Sequence, residues 1–407
     1  MFEKQINNLM NWVNYRFPLT KMWNEHMAYY YAPKNFNFWY YFGSLALLIF
    51  GIQLLSGIWL TMFYNPSSKE AFDSVEYIMR DVKFGWLIRY IHSTGASFFL
   101  LIIYFHIFRG FLYSSYKKPR ELIWFIGVLI FLCLLAECFF GYLLPWGNMS
   151  FWGAQVITSL FSAIPFIGDI LVEWIRGDYN ISGVTLTRFF SLHVSGIPIV
   201  FIVLIALHLT ALHEVGSGNP DGIEIKDNKD KNGIPLDGIP LHPYYTIKDV
   251  FGFSVFFIFF FAIIFFAPDF YGFFLEGPNF TPADPLMTPE HIAPVWYMTP
   301  YYAILRAIPD KLLGVIAMGT SILILFFLPW LDRSPVKSIR YKGILSKIAL
   351  IVFVISFVIL GYLGMEAPSP NKTLVAQICS TIYFLFFILM PFYSKIEKNK
   401  EAPKRIK

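Results

Sequence analysis

The chain has 407 residues, of which 56% are hydrophobic, 20% are aromatic and only 14% are charged, and its formal net charge is +5. Long apolar runs without polar linkers are typical of a polytopic membrane protein and leave no sequence for a separate soluble domain. In this class the positions of lysine and arginine indicate orientation in the lipid bilayer, so the positive charge does not indicate nucleic-acid binding.

The first element is a mixed aromatic and polar segment, residues 1–36, which we predict to be amphipathic and to lie at the inner membrane interface. Eight apolar runs long enough to cross a bilayer follow it, at 37–63, 84–112, 121–144, 184–212, 248–268, 310–331, 345–365 and 372–393. An even number of spans places both termini on one side. Basic residues are concentrated there, in the loops 113–120 and 332–347 and in the tail 394–407, which predicts that this side is the inner, cytoplasmic one.

Pairs of histidines interrupt the second and fourth apolar runs. His92 and His106 are 14 residues apart, and His193 and His208 are 15 residues apart. At about 100° and 1.5 Å per residue, each pair faces roughly one way at two levels about 21 Å apart. Because consecutive spans run in opposite directions, His92 and His193 share the outer level, and His106 and His208 share the inner level.

A neutral imidazole buried in hydrocarbon needs a partner for its ring nitrogens. Two helices that offer histidines at matching heights can hold two haem groups, with one histidine from each helix on each iron. The alternatives are a set of hydrogen-bonded structural histidines and a proton relay. Cys133, Cys138 and Cys379 lie within spans and form no C-x-x-C-H motif, so the expected haems are bound non-covalently.

Glycines repeat at nearly the same interval as the histidines. Gly43 and Gly57 in the first span, and Gly127 and Gly141 in the third, are each 14 residues apart. A glycine lets a helix backbone approach a flat ligand closely, although a lone membrane glycine more often serves helix packing. The matched spacing predicts a four-helix bundle that encloses two stacked haems.

Three residues beside the histidines fit this prediction. Arg89 and Arg109 lie three residues beyond the outer and the inner histidine of the second span, where a guanidinium can pair with haem propionates. The alternative for each is an arginine that extends to the membrane surface. In the fourth span, Pro198 offers a kink or bulge in which the extra residue between the histidines can be absorbed.

Two connecting segments are predicted to contribute to binding sites. Residues 145–187 are apolar but too interrupted to span, which predicts short helices that lie across the outer face and cover a cavity for an apolar ligand. Residues 214–247 form a polar inner loop. His213 lies about 140° around the helix from His208 and cannot bind the same haem, but with Asp249 it forms a candidate proton-donor pair.

Taken together, six stretches resemble cytochrome b of the quinol:cytochrome c oxidoreductase (cytochrome bc) complex, and the match runs from Trp12 to about Tyr393. They are RYIH with the second histidine of its span (89–106), GYLLPWGNMSFWGAQVIT (141–158), TLTRFFSLH (185–193), HEVGS (213–217), HPYYTIKD (242–249) and PVWYMTPYYAILRAIP (294–309). The resemblance implies an all-α membrane protein of eight transmembrane helices. Residues 37–213 form the bundle around two b-type haems, 248–393 form a C-terminal four-helix region, and 394–407 form the basic inner tail.

The resemblance also implies a mechanism. Quinol is expected to be oxidised at an outer site, with one electron passing to a Rieske iron–sulfur subunit and the other through both haems to reduce quinone at an inner site. This cycle contributes to the proton motive force. Bis-histidine ligation suits electron transfer because it excludes oxygen from the iron. A membrane-anchored cytochrome c subunit and a homodimer of the whole complex are the other expected partners.

The quinone sites follow from the resemblance residue by residue. The outer quinol site is expected to include Phe139, Tyr142, Gly153, Pro294, Tyr297 and Tyr302. The inner quinone site is expected to include His213, Ser217, Lys248 and Asp249, and Arg188 is expected among the cofactor-binding residues.

The chain departs from the family pattern in two places. The usual P-E-W-Y motif has a glutamate thought to take a proton from quinol, and Val295 stands in its place. Glu137, four residues before Gly141 on the same helix face, is the candidate replacement that accepts the second quinol proton, and the alternative is a structural polar contact.

The second departure is the interval between His193 and His208, which resembles that of the plastid-type protein. That protein is split after four spans and carries a covalent haem, whereas all eight spans are joined here.

Two other classes of protein are compatible with intramembrane histidines. A dihaem anchor of a hydrogenase or dehydrogenase would not explain the glycine spacing, the PVWY loop or eight spans, and a transporter that relays protons would contain no haem. The preferred location is a bacterial plasma membrane with both termini cytoplasmic, rather than a mitochondrial inner membrane. This preference rests on Val295 and on the longer fourth-span interval.

Overall fold

A computed structural model describes residues 2–406 of the chain. Met1 and Lys407, the ends of the predicted N-terminal segment and basic tail, lie outside the described residues, as does the side chain of His26. Within the described part, eight helices are long and apolar enough to cross a membrane, which confirms the predicted number. They are Phe38–Thr61, Gly85–Tyr113, Glu121–Leu143, Gly183–Val215, Leu241–Phe266, Lys311–Leu331, Ile344–Met365 and Pro370–Ile388.

The N-terminal segment contains two short helices, α1 (Phe2–Arg16) and α2 (Leu19–Trp23), followed by a π-helical turn at Asn24–Ala28. No residue of α1 is buried, and its apolar side chains Phe2, Leu9 and Trp12 are largely exposed. A helix with exposed apolar side chains on a polar background is suited to a membrane surface. Its place at the inner interface stays a prediction.

The first half of the chain contains the first four spans and the shorter helices that connect them. Its helices are α3 (Tyr41–Thr61), α4 (Ala71–Arg80), α5 (Gly85–Tyr113), α6 (Glu121–Leu143), α7 (Asn148–Ser159), α8 (Gly168–Arg176), α9 (Gly183–Ser191) and α10 (Ile197–Val215). In the bundle α3 packs on α5, and α6 packs on α10. Helices α7 and α8 are the short helices expected between the third and fourth spans, and a 3₁₀ turn at Leu160–Ala163 joins them.

Helices α9 and α10 are parts of one span, joined by a π-helical turn at Leu192–Gly196. A π turn holds one residue more than an α turn, and Pro198 just after it has no backbone N–H to continue the regular ladder. His193 lies in this turn. The predicted bulge therefore exists, and it takes up the extra residue between His193 and His208.

The second half contains the remaining spans and one short outer helix. Its helices are α11 (Thr246–Phe266), α12 (Thr299–Ala307), α13 (Lys311–Leu323), α14 (Leu328–Leu331), α15 (Ile344–Met365), α16 (Pro370–Ile388) and α17 (Met390–Ile396). Three of its single turns are the π turn Leu241–Tyr245 and the 3₁₀ turns Gly277–Phe280 and Ile324–Phe327. Helix α12 packs on α13, α15 and α16, so the segment after the PVWY motif is held against the C-terminal spans.

The inner polar loop is ordered and tied to the N-terminal segment. Strand β1 (Tyr31–Pro33) pairs antiparallel with β2 (Gly238–Pro240), with Ala32 opposite Ile239. Beside this pair the buried carboxylate of Asp237 lies 3.3 Å from Lys34 Nζ and 2.5 Å from Arg405 Nε. The loop, the N-terminal segment and the basic tail therefore meet at one point.

A second ionic cluster joins the two halves at the inner end. Asp332 is buried, accepts a hydrogen bond from Tyr116 Oη at 2.8 Å, and lies 2.6 Å from Lys342 Nζ and 3.0 Å from Lys117 Nζ. Burial acts to raise the pKa of Asp332, but the two ammonium groups outweigh it and lower that pKa to about 2. The carboxylate is therefore charged at physiological pH, and it holds the α5–α6 loop to the loop after α14.

Candidate functional site

The outer histidines, His92 on α5 and His193 in the π turn, face each other with ring centroids 6.0 Å apart. His92 Nδ1 lies 3.0 Å from Ser56 Oγ, and that hydroxyl donates to the Ile52 carbonyl at 2.7 Å. A hydroxyl has one proton, so here it accepts from His92 Nδ1–H. This tautomer leaves His92 Nε2 with a free lone pair for a metal ion.

His193 is oriented in the same way by a different partner. Its Nδ1 lies 3.0 Å from the backbone carbonyl oxygen of Glu137, which can only accept, so Nδ1 carries the proton. The carboxylate oxygen Oε1 of Glu137 lies 3.2 Å from the same nitrogen. Both outer imidazoles therefore present Nε2 as the metal-binding nitrogen.

The inner histidines, His106 on α5 and His208 on α10, have ring centroids 6.5 Å apart. The buried Nδ1 atom of His106 has no hydrogen-bond partner in the part of the chain that the structure describes, whereas the ring of His208 interacts with the backbone of Ile123. A neutral imidazole carries its proton on one nitrogen and a free lone pair on the other, so each of these rings can also offer one nitrogen to a metal ion.

All four glycines of the predicted ladder face the histidines. A Cβ atom added at Gly141 would lie 2.5 Å from His193 Cε1, and one at Gly57 would lie 3.0 Å from His92 Cε1. At the inner level the corresponding distances to His208 and His106 are 3.4 Å for Gly127 and 3.5 Å for Gly43. The glycines therefore make room for the imidazole rings, where the sequence predicted room for a flat ligand.

The geometry of each pair fits a six-coordinate haem iron. Two imidazoles on opposite sides of one metal ion, with bonds of about 2 Å, have ring centroids about 6 Å apart. Among the described residues no group of three or more His, Cys, Asp or Glu side chains could hold a metal ion without help. Each pair would supply two imidazole ligands to a metal ion whose other ligands come from a macrocycle such as haem.

The predicted propionate partners differ in their surroundings. Arg89 lines the outer cavity and Arg109 lines the inner one, with its guanidinium 5.2 Å from the ring of Tyr40. Arg109 Nε is buried without a hydrogen-bond partner among the described residues. Arg188 lies outside the lining of both cavities, because its Nη1 donates to the Trp174 carbonyl at 2.6 Å.

The outer cavity, of about 230 Å³, extends from the outer histidines to the PVWY loop. Tyr142 from α6 and Tyr297 from the loop before α12 both line it, as predicted for the quinol site. Val295 lines the same wall and is 6% exposed, so the position of the usual glutamate is buried and apolar. Glu137 lines the cavity too, next to His193.

The other residues predicted for the quinol site are not among the residues that line this cavity. Phe139 packs on Phe189, with ring centroids 5.4 Å apart, and a Cβ added at Gly153 would lie 3.6 Å from Tyr142 Cε1. Pro294 precedes the lining residue Val295. The Tyr302 ring lies 4.6 Å from the Arg306 guanidinium. Their contact with quinol stays a prediction.

Sequence reasoning did not select Glu276, which lies in the loop between α11 and α12. Its Oε2 accepts a hydrogen bond from Tyr142 Oη at 3.1 Å, although 134 residues separate the two. Burial raises the pKa of Glu276 to about 7, and the Tyr142 hydroxyl acts in the opposite direction. The sequence feature that could have indicated Glu276 is the single acidic residue inside the aromatic run FYGFFLEGPNF (270–280).

The inner cavity, of about 520 Å³, extends from the inner histidines toward the polar loop. Ser217, Lys248 and Asp249 line it, as predicted for the quinone site, and Asp249 Oδ1 accepts from Ser44 Oγ at 2.8 Å. His213 is not among its lining residues, because its ring packs on Tyr30 at 4.5 Å between centroids. The pairing of His213 with Asp249 stays a prediction.

Comparison with known proteins identifies the family. A family model described as Cytochrome b/b6/petB matches residues 27–216, which contain all four histidines, and one described as Cytochrome b(C-terminal)/b6/petD matches residues 282–384. The chain belongs to the cytochrome b family. The predicted resemblance, the all-α fold and the eight spans of this cytochrome b are thereby confirmed.

Similar proteins match over nearly the whole chain. A cytochrome b of Allochromatium vinosum is 56% identical over 98% of this chain and 98% of its own length, and one of Rickettsia prowazekii is 47% identical over 99% and 98%. A structure described as "Hyperthermophilic respiratory Complex III" has a TM-score of 0.88 and 39% identity, and covers 95% of this chain and 99% of its own. The chain is thus a membrane-integral cytochrome b of the respiratory type.

Proposed function

We propose that this cytochrome b carries electrons across the membrane between an outer site that oxidises quinol and an inner site that reduces quinone. The observation that carries the proposal is the pair of facing histidine couples at two levels, each opening into its own cavity. The alternatives of a proton-relaying transporter and of a dihaem dehydrogenase anchor do not account for the family to which the chain belongs.

Two non-covalent haem b groups are the cofactors that the histidines would hold, His92 with His193 and His106 with His208. A bis-histidine haem supplies reversible one-electron chemistry with no open position for oxygen. Ser56 and the Glu137 carbonyl orient the outer rings, and Arg89 and Arg109 supply charge for propionates. The protein would thereby fix the position of each cofactor.

Each cavity would bind one quinone ring with the side chains that line it. Tyr142 and Tyr297 offer hydroxyl groups to quinol in the outer cavity, against the apolar wall that includes Val295. In the inner cavity Ser217 offers a hydroxyl group to quinone, Lys248 offers an ammonium group, and Asp249 offers a carboxyl group that can carry a proton. Apolar walls with a few polar groups suit an amphipathic ligand that arrives from lipid.

The working enzyme would be a quinol–cytochrome c reductase that needs further subunits. A Rieske iron–sulfur subunit at the outer cavity, a membrane-anchored cytochrome c subunit and a dimer of the whole complex are the proposed partners. The proposed location is a bacterial plasma membrane with both termini in the cytoplasm, because basic residues favour the cytoplasmic side and are concentrated in the tail and in the loops at the same end of the spans.

The haem assignment is tested by spectra of the purified complex. We expect two b-type signals in the reduced-minus-oxidised visible spectrum, at about two haems per chain. His92→Leu should abolish the outer signal and His106→Leu the inner one. The exposed histidine of the inner loop, in the variant His242→Gln, is the matched control and should keep both. A parent protein without b-type signals would refute the function.

A further inference from the structure

The loop between α11 and α12 brings a carboxylate, that of Glu276, close to the outer cavity. Glu276 is half-buried, and its Oε2 is hydrogen-bonded to Tyr142 Oη at 3.1 Å. Tyr142 lines the cavity, as do Leu275 and Asn279 on either side of Glu276 in the chain. The carboxylate therefore lies one hydrogen bond behind the cavity wall.

Hydrogen bonds hold the same loop against the segment that follows α6. The Asn279 side chain accepts from the Ser150 backbone N–H at 3.0 Å, and the Asn148 backbone N–H donates to the Thr281 carbonyl at 2.9 Å. A bridge between Gly147 and Pro282 adds to this contact. These contacts of its own loop hold Glu276 in register with Tyr142.

We propose that Glu276, through the hydroxyl group of Tyr142, receives one of the two protons released when quinol is oxidised in the outer cavity. The inference rests on the proposed function of that cavity. The quinol O–H bond breaks, its proton passes to Tyr142 Oη, and the proton of the tyrosine passes to Glu276 Oε2. The second proton leaves with the electron that passes to the proposed iron–sulfur subunit, the other electron passes to the outer haem, and quinol becomes quinone.

Glu276 has the chemistry of a proton acceptor near neutral pH. A general base works best when its pKa lies near the operating pH, and burial raises the pKa of Glu276 to about 7. The titratable groups that face it are the hydroxyls of Tyr142 and Tyr297. Neither supplies a positive charge that would keep the carboxylate ionised in acid.

The accepted proton has a route to water. Gly277 and Pro278, directly after Glu276, are exposed, so the carboxylate lies near the outer surface of the protein. Glu137, in contrast, lies 3.2 Å from Nδ1 of His193, and its Oε2 is buried without a partner among the described residues. Glu137 is therefore placed to orient a haem ligand, and Glu276 is placed to export a proton.

The test measures quinol-driven reduction of haem b in the complete complex, with the inner site blocked by an inhibitor, from about pH 5.5 to about pH 9. In the parent the rate should rise as the pH passes through about 7, since only ionised Glu276 can accept a proton. Glu276→Gln should lower the rate about tenfold or more and remove this rise, whereas Glu276→Asp should keep it. Tyr142→Phe should have the same effect as Glu276→Gln.

Glu290→Gln, an exposed glutamate on the same loop, is the matched control and should keep the parent rate and pH profile. An unchanged haem spectrum shows that each variant is assembled, and a redox-difference infrared spectrum should lose a protonated-carboxyl band in Glu276→Gln and keep it in Glu290→Gln. If Glu276→Gln does not assemble, Glu276→Asp and Tyr142→Phe decide the question in its place.

Several results would overturn the relay, and they differ from a failure of the proposed function. A Glu276→Gln enzyme with the parent rate and pH profile would contradict it. Loss of the pH dependence in Glu137→Gln, with its retention in Glu276→Gln, would contradict the relay too. That result would support Glu137 as the proton acceptor, as predicted from the sequence. A parent protein that contains no haem b, or is not reduced by quinol, would refute the proposed function itself.

Discussion

Gly141 and Gly57 are the glycines of the ladder at which an added methyl group would press hardest on a histidine ring. Their hypothetical Cβ atoms lie 2.5 Å from His193 and 3.0 Å from His92, whereas those of Gly127 and Gly43 lie 3.4 Å and 3.5 Å from the inner rings. Contacts below about 3 Å require a shift of the ring, and overpacking of this kind typically destabilises by about 1–3 kcal/mol. The outer site is therefore the less tolerant one.

Alanine at the four glycines should follow this order. Gly141→Ala should reduce the outer b-type signal by about half or more, Gly57→Ala should reduce it less, and Gly127→Ala and Gly43→Ala should leave both signals in place. Gly51→Ala, on the same span as Gly43 but with nothing within 4 Å of the added atom, is the control. Visible spectra of the purified variants measure the effect. Equal loss in all four variants would contradict the steric explanation.

Site residues that repeat at helical spacing could be predicted from the sequence, whereas site residues contributed by distant segments of the chain could not. The histidines and glycines were predictable because helical spacing places them on one face. Ser56, 36 residues from His92, and Glu276, 134 residues from Tyr142, bear no local relation to their partners. Tyr30, which packs on His213, comes from the N-terminal segment and gave no signal of its own.

Among the elements, the span formed by α9 and α10 shows how a single residue is absorbed. The π turn at Leu192–Gly196 restores the facing of His193 and His208, which a regular helix with 15 steps would turn apart by about 60°. Proline within an apolar span made this bulge predictable. The pairing of β1 with β2 was not predictable, because strands of three residues so far apart carry no periodic pattern.

Removal of one residue should have opposite effects inside and outside the π turn. Deletion of Ser195 leaves 14 steps between the histidines, which a regular α-helix can match, so we expect both b-type signals to survive. Deletion of Val203 keeps the π turn and rotates His208 by about 100°, so the inner signal should be lost. Haem content per chain measures both. Loss of haem in the first deletion with retention in the second would show that the turn has another role.

Across the whole molecule, the two halves are held together by side chains more than by the loop that joins them. Trp124 Nε1 of α6 donates to the Leu325 carbonyl at 2.7 Å, and the apolar core includes buried residues from both halves, such as Phe131 and Phe387. At the inner end Asp332 binds Lys117 across the halves. The eight spans were predictable from hydropathy, but this joint was not, because no sequence pattern specifies which spans pack together.

The joint predicts that the chain can be divided between the fourth and fifth spans without loss of the site. Asn232 and Gly233 lie in an exposed turn of the inner loop, and nothing lies within 4 Å of a Cβ added at Gly233. Cutting an exposed loop makes the packing of the two halves an association between separate fragments, which costs entropy, but it leaves the buried contacts between the halves intact. Coexpressed fragments 1–232 and 233–407 should therefore co-purify.

The divided protein should contain both b-type signals at close to the haem content of the intact chain, because all four histidines lie in the first fragment and their cavities are closed by the second. Phe274, Val295 and Tyr297 line the outer cavity, and Lys248, Asp249 and Leu325 line the inner one. The same division with Asp332→Asn should weaken co-purification, since it leaves Lys117 and Lys342 without their carboxylate. Fragments that never associate would mean that the continuous loop, and not the packed joint, holds the halves together.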